Sequence, residues 1–216
     1  MKINRRDFIK TGGMVMLGSL AVPSFLGSCT GNKVDQATGI SFAQNHFGVS
    51  ENDMKKVLAA ALEKGGDYAD LFFEHSYRNN IGLQDGAVNR ASSNIDFGMG
   101  VRVLAGDQTG YAYVENVTLD EMLKAARTAA RIATGSAGKA PVALTEEPIP
   151  NNYYGVQTPW DELAVNAKTP YLQKLNDQIF ALDKRVHKVM ASLGDTTSHI
   201  LFCNSEGQMY YTIVRW

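Results

Sequence analysis

The sequence predicts an α+β fold, with a mostly antiparallel sheet of hairpins and flanking helices. Strand-like runs fill most of residues 68–115 and again 186–215. Asp85-Gly86 joins two of these runs, and Asp-Gly suits a type I′ hairpin turn because both central residues of that turn need positive φ. Amphipathic helical patterns precede the first block and separate the two blocks.

The composition is that of an ordinary globular protein. The chain has 216 residues, of which 44% are hydrophobic and 20% charged, which is enough for one or two small domains. With 21 basic and 22 acidic residues, the formal net charge of -1 argues against a nucleic-acid partner. Two cysteines and four histidines are too few for a disulfide scaffold or a zinc-ribbon array.

Three helices are predicted from their start signals. Ser50 precedes apolar residues at helical spacing and Asp53 supports a capped start, while Gly65-Gly66 ends the pattern. Thr118-Leu119-Asp120-Glu121 has the form of a capping box in front of a second apolar stripe. Thr169-Pro170 places a capping hydroxyl before a first-turn proline, so a third helix is expected from Pro170 to about Lys184.

Turn residues divide the strand blocks. A turn at 105–108 is expected in the first block, and turns at Gly194-Asp195 and Ser205-Glu206-Gly207 in the second. Residues 134–158 show no period and read as an internal surface connection. The expected strands are 68–77, 80–84, 87–94, 97–104 and 111–115, followed by a meander of 186–193, 199–204 and 208–215.

The first 28 residues resemble a twin-arginine export signal. The pattern consists of Arg5, Arg6, Phe8 and Lys10 followed by an uncharged apolar stretch, with Asn4 standing where such signals carry Ser or Thr. The stretch ends in a lipobox-like Leu-Gly-Ser before Cys29, so cleavage and lipidation at Cys29 are expected.

A membrane-spanning anchor is the alternative reading of this stretch, but four glycines and a proline weaken it as a helix. Either reading predicts an exported protein of the cell envelope, and lipidation would anchor it to the membrane. Residues 29–49 are expected to be a flexible tether, and residues 50–216 the folded domain.

No catalytic or metal-binding residue is predicted among the histidines. His46 falls in the tether, and His75 is a strand neighbour of Glu74, so the two side chains point to opposite faces. A turn near residues 194–196 would leave His187 and His199 far apart along a hairpin. Each histidine is therefore expected to be solvated or to have a structural role.

Other residues that carry chemistry have structural explanations as well. Cys203 lies in an apolar strand and is expected to act as a small hydrophobe. Gly98-Met99-Gly100 lacks the following helix or lysine of a phosphate loop, so a bulge or a close backbone approach is expected. Sheet packing is favoured over a peptide groove for the tyrosines, which are Tyr111, Tyr113, Tyr210 and Tyr211.

Four segments together resemble the N-terminal domain of the TldD/PmbA family in order and spacing. They are Asp67-Tyr68-Ala69-Asp70-Leu71-Phe72-Phe73-Glu74, Leu83-Gln84-Asp85-Gly86, Gly98-Met99-Gly100-Val101-Arg102-Val103-Leu104 and Thr109-Gly110-Tyr111-Ala112-Tyr113. The helix after Thr118 and the later strand block fit as well, so the resemblance covers about residues 50–215.

The resemblance implies a function for the whole protein. The family contains metallopeptidases that cut unfolded peptides, with zinc bound by a His-Glu-x-x-x-His motif in a C-terminal domain, and its members form homodimers or heterodimers with a metal-free relative. The motif is absent from these 216 residues. The segment is therefore expected to be the N-terminal part of a longer enzyme, inactive and metal-free alone, that scaffolds and covers the active site.

Two alternatives remain open from the sequence. The chain could belong to a non-catalytic partner subunit of the same family. It could also be a lipid-anchored module that binds peptides by edge pairing to its sheet without cutting them.

Overall fold

A computed structural model describes residues 41, 43–136, 139–147, 158 and 160–216. These residues lie within one compact unit, Ala37–Trp216. The export-signal residues Arg5, Arg6, Phe8 and Lys10 and the lipidation residue Cys29 lie outside the described residues. Within the described part of the chain, no helix has both the length and the apolar character needed to cross a membrane.

The described residues form three α-helices and six strands. The sheet has the order β3-β2-β1-β5-β6-β4, and every neighbouring pair is antiparallel except β4 with β6. The predicted α+β fold is confirmed. The helices are α1 (Glu51–Leu62), α2 (Leu119–Ile132) and α3 (Val165–Leu182), and the strands are β1 (Tyr68–Gln84), β2 (Ala87–Ala105), β3 (Gln108–Val114), β4 (Thr145–Glu146), β5 (Met190–Asn204) and β6 (Gln208–Arg215).

Two long strands form the centre of the first block. β1 and β2 pair from Tyr68↔Leu104 to Gln84↔Ala87, with one register shift between Gly82 and Leu83. The prediction that each of them is divided into two shorter strands is wrong. Both strands stay extended and paired through the expected breaks. The Asp85-Gly86 turn is confirmed, with φ of 49° and 82° at its two residues.

Helices α1 and α2 pack against one side of the sheet and form the main core. Met54 and Leu58 of α1 and Met122 of α2 are buried with Leu71 and Phe73 of β1. At 25 cal/mol per Å² of apolar surface, each fully buried side chain of this size stabilises the fold by about 1.5–3 kcal/mol. The core therefore fixes one face of β1 and β2 against the helices.

Cys203 belongs to this core, as predicted. Its side chain is fully buried, and its Sγ lies 3.7 Å from Met54 Sδ. Burial raises the pKa of the thiol far above its ordinary value, so the reactive thiolate is disfavoured.

The two predicted helix caps form to different extents. At α1, the Ser50 hydroxyl accepts from the Asp53 N–H at 3.1 Å and the Asp53 carboxylate accepts from the Ser50 N–H at 3.3 Å, so the capping box is complete. At α2, the Thr118 hydroxyl accepts from the Glu121 N–H. The Thr118 N–H donates to the Asn116 carbonyl instead, so half of the predicted box forms.

Helix α3 begins five residues earlier than predicted. Pro170 lies inside the helix rather than in its first turn. The turn before the proline is held by Lys168, whose Nζ donates to Asp195 Oδ1 of β5 at 2.6 Å in a buried ion pair. This tertiary contact compensates for the helical hydrogen bond that proline cannot donate. Leu172 then packs against Ile81 and Leu83 of β1 in a second, smaller core.

The predicted turn at Gly194-Asp195 is wrong. β5 runs without interruption from Met190 to Asn204 and pairs with β1 along its length. Asp195 does not close a turn because its carboxylate accepts from Lys168 and from Asn79 Nδ2, the latter at 2.8 Å. The turn at Ser205-Glu206-Gly207 is confirmed, with a φ of 92° at Gly207.

The predicted tether and internal connection both contribute to the fold. Ala43–Phe47 is one π-helical turn, and the side chains of Phe47 and Val49 are 3% and 2% exposed. Val49 precedes the α1 cap and shares the core with Met54, the arrangement of a hydrophobic staple. Within the connection, β4 pairs with β6. The prediction of an unstructured tether is wrong at residues 43–49, because Phe47 and Val49 reach the core.

Candidate functional site

The sheet has two unlike faces. The face bearing Ala69, Leu71 and Phe73 is called the covered face, since the buried residues of α1 and α2 pack against it. The face bearing the alternate residues Phe72 and Glu74 is called the open face. Phe72 is 40% exposed, whereas the adjacent Phe73 is fully buried.

A groove lies on the open face where β1, β2 and β3 run side by side. Its volume is about 590 Å³, and its lining includes Phe72, Glu74, Gly98, Gly100, Tyr113 and Glu115. The register aligns these residues in rows, because Phe72 pairs with Gly100, Gly100 pairs with Tyr113, and Glu74 pairs with Gly98. Two glycines on the middle strand thus form a floor between side chains of the outer two strands.

The glycines are required by close approaches over the open face. A Cβ at Gly98 would lie 2.6 Å from the Val114 carbonyl oxygen and 3.5 Å from the Glu115 Cα. A Cβ at Gly100 would lie 2.7 Å from the hydroxyl oxygen of Tyr111. The close backbone approach predicted for Gly98-Met99-Gly100 is therefore confirmed.

The groove is acidic. Glu74, Asp96 and Glu115 line it, and no basic residue does. Asp96 is paired with Arg78, and the neighbouring Arg102 donates from Nε to Asp70 Oδ2 at 2.9 Å. Among the described residues, Glu74 and Glu115 have no such cationic partner. Their negative charges are therefore left at the mouth of an aromatic-walled groove.

The predicted tyrosines divide between the two faces. Tyr111 and Tyr113 are 58% and 68% exposed beside the groove. The favoured role in sheet packing holds for Tyr111, whose ring lies over Gly100, and is wrong for the more exposed Tyr113. Tyr210 stacks on Phe202, with ring centroids 4.9 Å apart. Tyr211 lies on the opposite side of the sheet from Tyr210, where its hydroxyl is 2.9 Å from His199 Nδ1. Burial raises the pKa of Tyr211 far above its ordinary value.

Three histidines meet on the covered side of the sheet. His75 and His199 are directly paired across β1 and β5. His46 joins them, with its Nε2 2.9 Å from His75 Nδ1 and its ring stacked on His199 at a centroid distance of 4.5 Å. Burial lowers the pKa of both His46 and His75, and the mutual repulsion of their charges lowers that of His46 further.

This cluster was not predicted from the sequence, where His46 is expected to lie in a tether without a partner. Two wrong predictions caused this error. One is the unstructured tether, which separates His46 from the sheet, and the other is the turn at Gly194-Asp195, which prevents β5 from pairing along β1. The apolar Phe47 and Val49 next to the Ser50 cap are the signal that places His46 close to the core. His187 remains apart and exposed, as expected.

The histidine cluster does not fit a zinc site. Its rings stack on one another, and the nitrogens of His46 and His75 bond to each other instead of converging on a common point. Within the described ranges, no group of three or more His, Cys, Asp and Glu side chains is arranged to hold a metal ion.

The part of the chain that contains the groove is similar to a known protein family. Residues 69–133 match the family model described as PmbA/TldA metallopeptidase domain 1. The matched region contains all of β2, β3 and α2 and most of β1. It therefore includes every residue that lines the groove. At the level of this domain, the chain is homologous to the TldD/PmbA family.

Similar curated proteins support the TldD/PmbA assignment. A protein named metalloprotease TldD homolog from Haemophilus influenzae is 32% identical over 146 residues, which are 66% of this chain and 30% of the relative. One of the same name from Buchnera aphidicola subsp. Acyrthosiphon pisum is 28% identical over 74% of this chain and 33% of the relative. The chain thus spans about a third of the length of these relatives.

Solved structures share the fold. A protein described as a putative modulator of DNA gyrase from Bacteroides thetaiotaomicron matches with a TM-score of 0.56 and 17% identity, over 77% of this chain and 39% of that chain. TldE from Thermococcus kodakarensis matches with a TM-score of 0.54 and 18% identity, over 76% of this chain and 37% of that chain. At these identities the comparison concerns the fold alone.

Proposed function

We propose that this domain is the N-terminal part of an exported zinc metallopeptidase that acts on unfolded or extended peptides. The family assignment and the metalloprotease names of the curated relatives support the reaction class. Among the described residues, no three metal-ligating side chains lie together. The hydrolytic centre is proposed to lie in another part of the protein. No step of the hydrolysis is assigned to the residues described.

The domain contributes a surface that meets the peptide before it reaches that centre. The open face, with its groove between β1 and β3, is the observation that carries this role. Exposed Tyr111 and Tyr113 offer aromatic contacts to an extended chain. An extended chain can place one side chain in this groove, which supports the proposed action on unfolded or extended peptides.

The cellular setting is part of the same proposal. Arg5, Arg6 and the lipobox-like sequence before Cys29 support export and attachment to the membrane by a lipid anchor. Pairing with a second copy or with a TldD/PmbA relative is proposed from the family assignment. The partner would complete the enclosure around the peptide.

The proposal is tested by comparing the 216-residue chain with a protein that also carries the downstream coding sequence. The longer protein should contain His-Glu-x-x-x-His, bind one zinc per chain and hydrolyse an unfolded peptide until a chelator removes the metal. Replacing the glutamate of the motif with Gln is the matched control and should abolish hydrolysis without releasing zinc.

The 216-residue chain alone should bind no stoichiometric zinc and hydrolyse nothing. Zinc-dependent hydrolysis by this chain would contradict the proposal, as would a downstream sequence that lacks the motif. The second outcome would instead identify the protein as a non-catalytic partner subunit.

A further inference from the structure

We propose that the groove on the open face binds the positively charged side chain, lysine or arginine, of an extended peptide. This inference rests on the proposed function, because it specifies which peptides the domain receives. It is carried by the shape of the groove, the charge at its mouth and the pairing of the cations around it.

The shape suits an unbranched side chain. Gly98 and Gly100 add no side chain between Phe72 on one side and Tyr113 on the other, and the ring of Tyr111 lies over Gly100. The methylene stem of a lysine or arginine can lie against these aromatic rings, since such stems bury against apolar surface while the charged end stays near water.

The charge suits a cation. Glu74 and Glu115 lie on either side of Gly98, because Glu74 pairs with Gly98 and the Glu115 Cα lies 3.5 Å from the position a Gly98 Cβ would take. Neighbouring strands are about 4.8 Å apart, so a cation in the groove beside Gly98 is within reach of both carboxylates. The rings of Tyr111 and Tyr113 add cation–π attraction to a charge within about 6 Å of their centres.

Nearby cations do not satisfy these carboxylates. Arg78 is paired with Asp96 and Arg102 with Asp70, so both guanidinium groups are already engaged. An acidic peptide side chain would be repelled, and an apolar one would leave the two carboxylates without a counter-charge. A cationic side chain is the occupant that satisfies both the walls and the charges of the groove.

The test uses the full 216-residue chain and a fluorescent peptide of alternating Thr and Ala with one central lysine. Fluorescence anisotropy gives its Kd, and peptides with norleucine or glutamate at the same position are the comparisons. Lysine should bind about tenfold more tightly than norleucine at low salt. The advantage should shrink as added salt screens the carboxylates.

Substitutions then assign the preference to the groove. Glu74→Gln and Glu115→Gln should each reduce the preference for lysine over norleucine severalfold, and the double variant should abolish it. Glu162→Gln, at an exposed carboxylate on the 3₁₀ turn Trp160–Glu162, makes the same charge change elsewhere and should preserve the preference. Circular dichroism and the unfolding midpoint establish that each variant is folded.

Equal affinity for lysine and norleucine would overturn the proposal. So would a lysine preference that survives the double variant, or no binding by the wild-type chain, including the case in which sedimentation shows a second copy covering the groove. If the lysine preference fails while zinc-dependent hydrolysis by the longer protein stands, only the groove assignment is refuted. If the preference stands and hydrolysis fails, the proposed peptidase function is refuted instead.

Discussion

Phe72 and Phe73 are neighbours on one strand, yet they belong to surfaces of different chemistry. Phe73 is fully buried in the core, while Phe72 is 40% exposed beside an acidic groove. Solubility alone would favour polar β-formers such as threonine on an uncovered face. Around the groove, the open face instead carries exposed aromatic rings and two carboxylates without a cationic partner, so this part of its composition is explained better by binding than by folding.

The largest difference between the faces should appear when each phenylalanine is shortened. Phe73→Ala removes a fully buried ring and should lower the free energy of unfolding by about 3–5 kcal/mol. Phe72→Ala removes a half-exposed ring and should cost less than about 1 kcal/mol. Urea unfolding monitored by circular dichroism measures both. Equal losses would show that the open face is part of a packed core after all.

A glycine on each face gives a smaller contrast. At Gly110, opposite Val103 on the covered face, a Cβ would lie 2.0 Å from the Ala129 carbonyl oxygen of α2. Gly110→Ala should therefore lower the unfolding free energy by about 1–3 kcal/mol. Gly100→Ala should cost less, because the atom it meets is the hydroxyl end of Tyr111, which can turn away. Thermal unfolding of the two variants measures this difference. A larger loss for Gly100→Ala than for Gly110→Ala would show that α2 can move away from β3 at little cost.

The smallest expected effect is a pH dependence that comes from the covered side. The pKa of His46 and His75 is lowered in the folded state, so the unfolded chain binds more protons as the pH falls below about 6.5. Stability should be complete above that pH and decline below it. The measurement is the unfolding midpoint from pH 8 to pH 5.

Two variants assign this pH dependence to the cluster. His46→Gln should flatten the decline, because it removes the pKa that burial and the neighbouring charge of His75 both lower. His187→Gln replaces an exposed histidine outside the cluster and should leave the curve unchanged. An identical slope in both variants would show that the histidine cluster does not cause the pH dependence.

Local chemistry made part of the fold predictable. Asp85-Gly86 and the Ser50–Asp53 capping box depend on residues within a few positions of one another, and both form as expected. Strand patterns joined by such turns extended the prediction to the antiparallel sheet, and capping residues in front of apolar stripes extended it to the flanking helices. These features need no knowledge of which strands become neighbours.

Long-range contacts explain the errors. Gly194-Asp195 has turn chemistry, but Asp195 accepts from Lys168 of α3 and Asn79 of β1, and this holds β5 extended. Lys168 also stabilises the helical turn before Pro170. Both partners are distant in sequence, so no local pattern reveals them.

The candidate site was predictable only in fragments. Gly98-Met99-Gly100 indicated a close backbone approach, and the tyrosines raised the possibility of a peptide groove. What makes them a site is the register that aligns Phe72 with Gly100 and Tyr113, and Glu74 with Gly98. Register depends on how whole strands pair and on which of their faces is buried. It could not be predicted here because the expected strands were broken at the wrong positions.

The central claim is that the open face receives peptide while the covered face holds the fold together. Photocrosslinking tests it most directly, using an extended peptide with benzoylphenylalanine beside a lysine, the full 216-residue chain, and mass spectrometry to locate the attachment. Attachment is expected at Phe72, Tyr111 and Tyr113, which line the groove. Attachment confined to α3 or to the surroundings of His75 and His199, or no attachment at all, would contradict it.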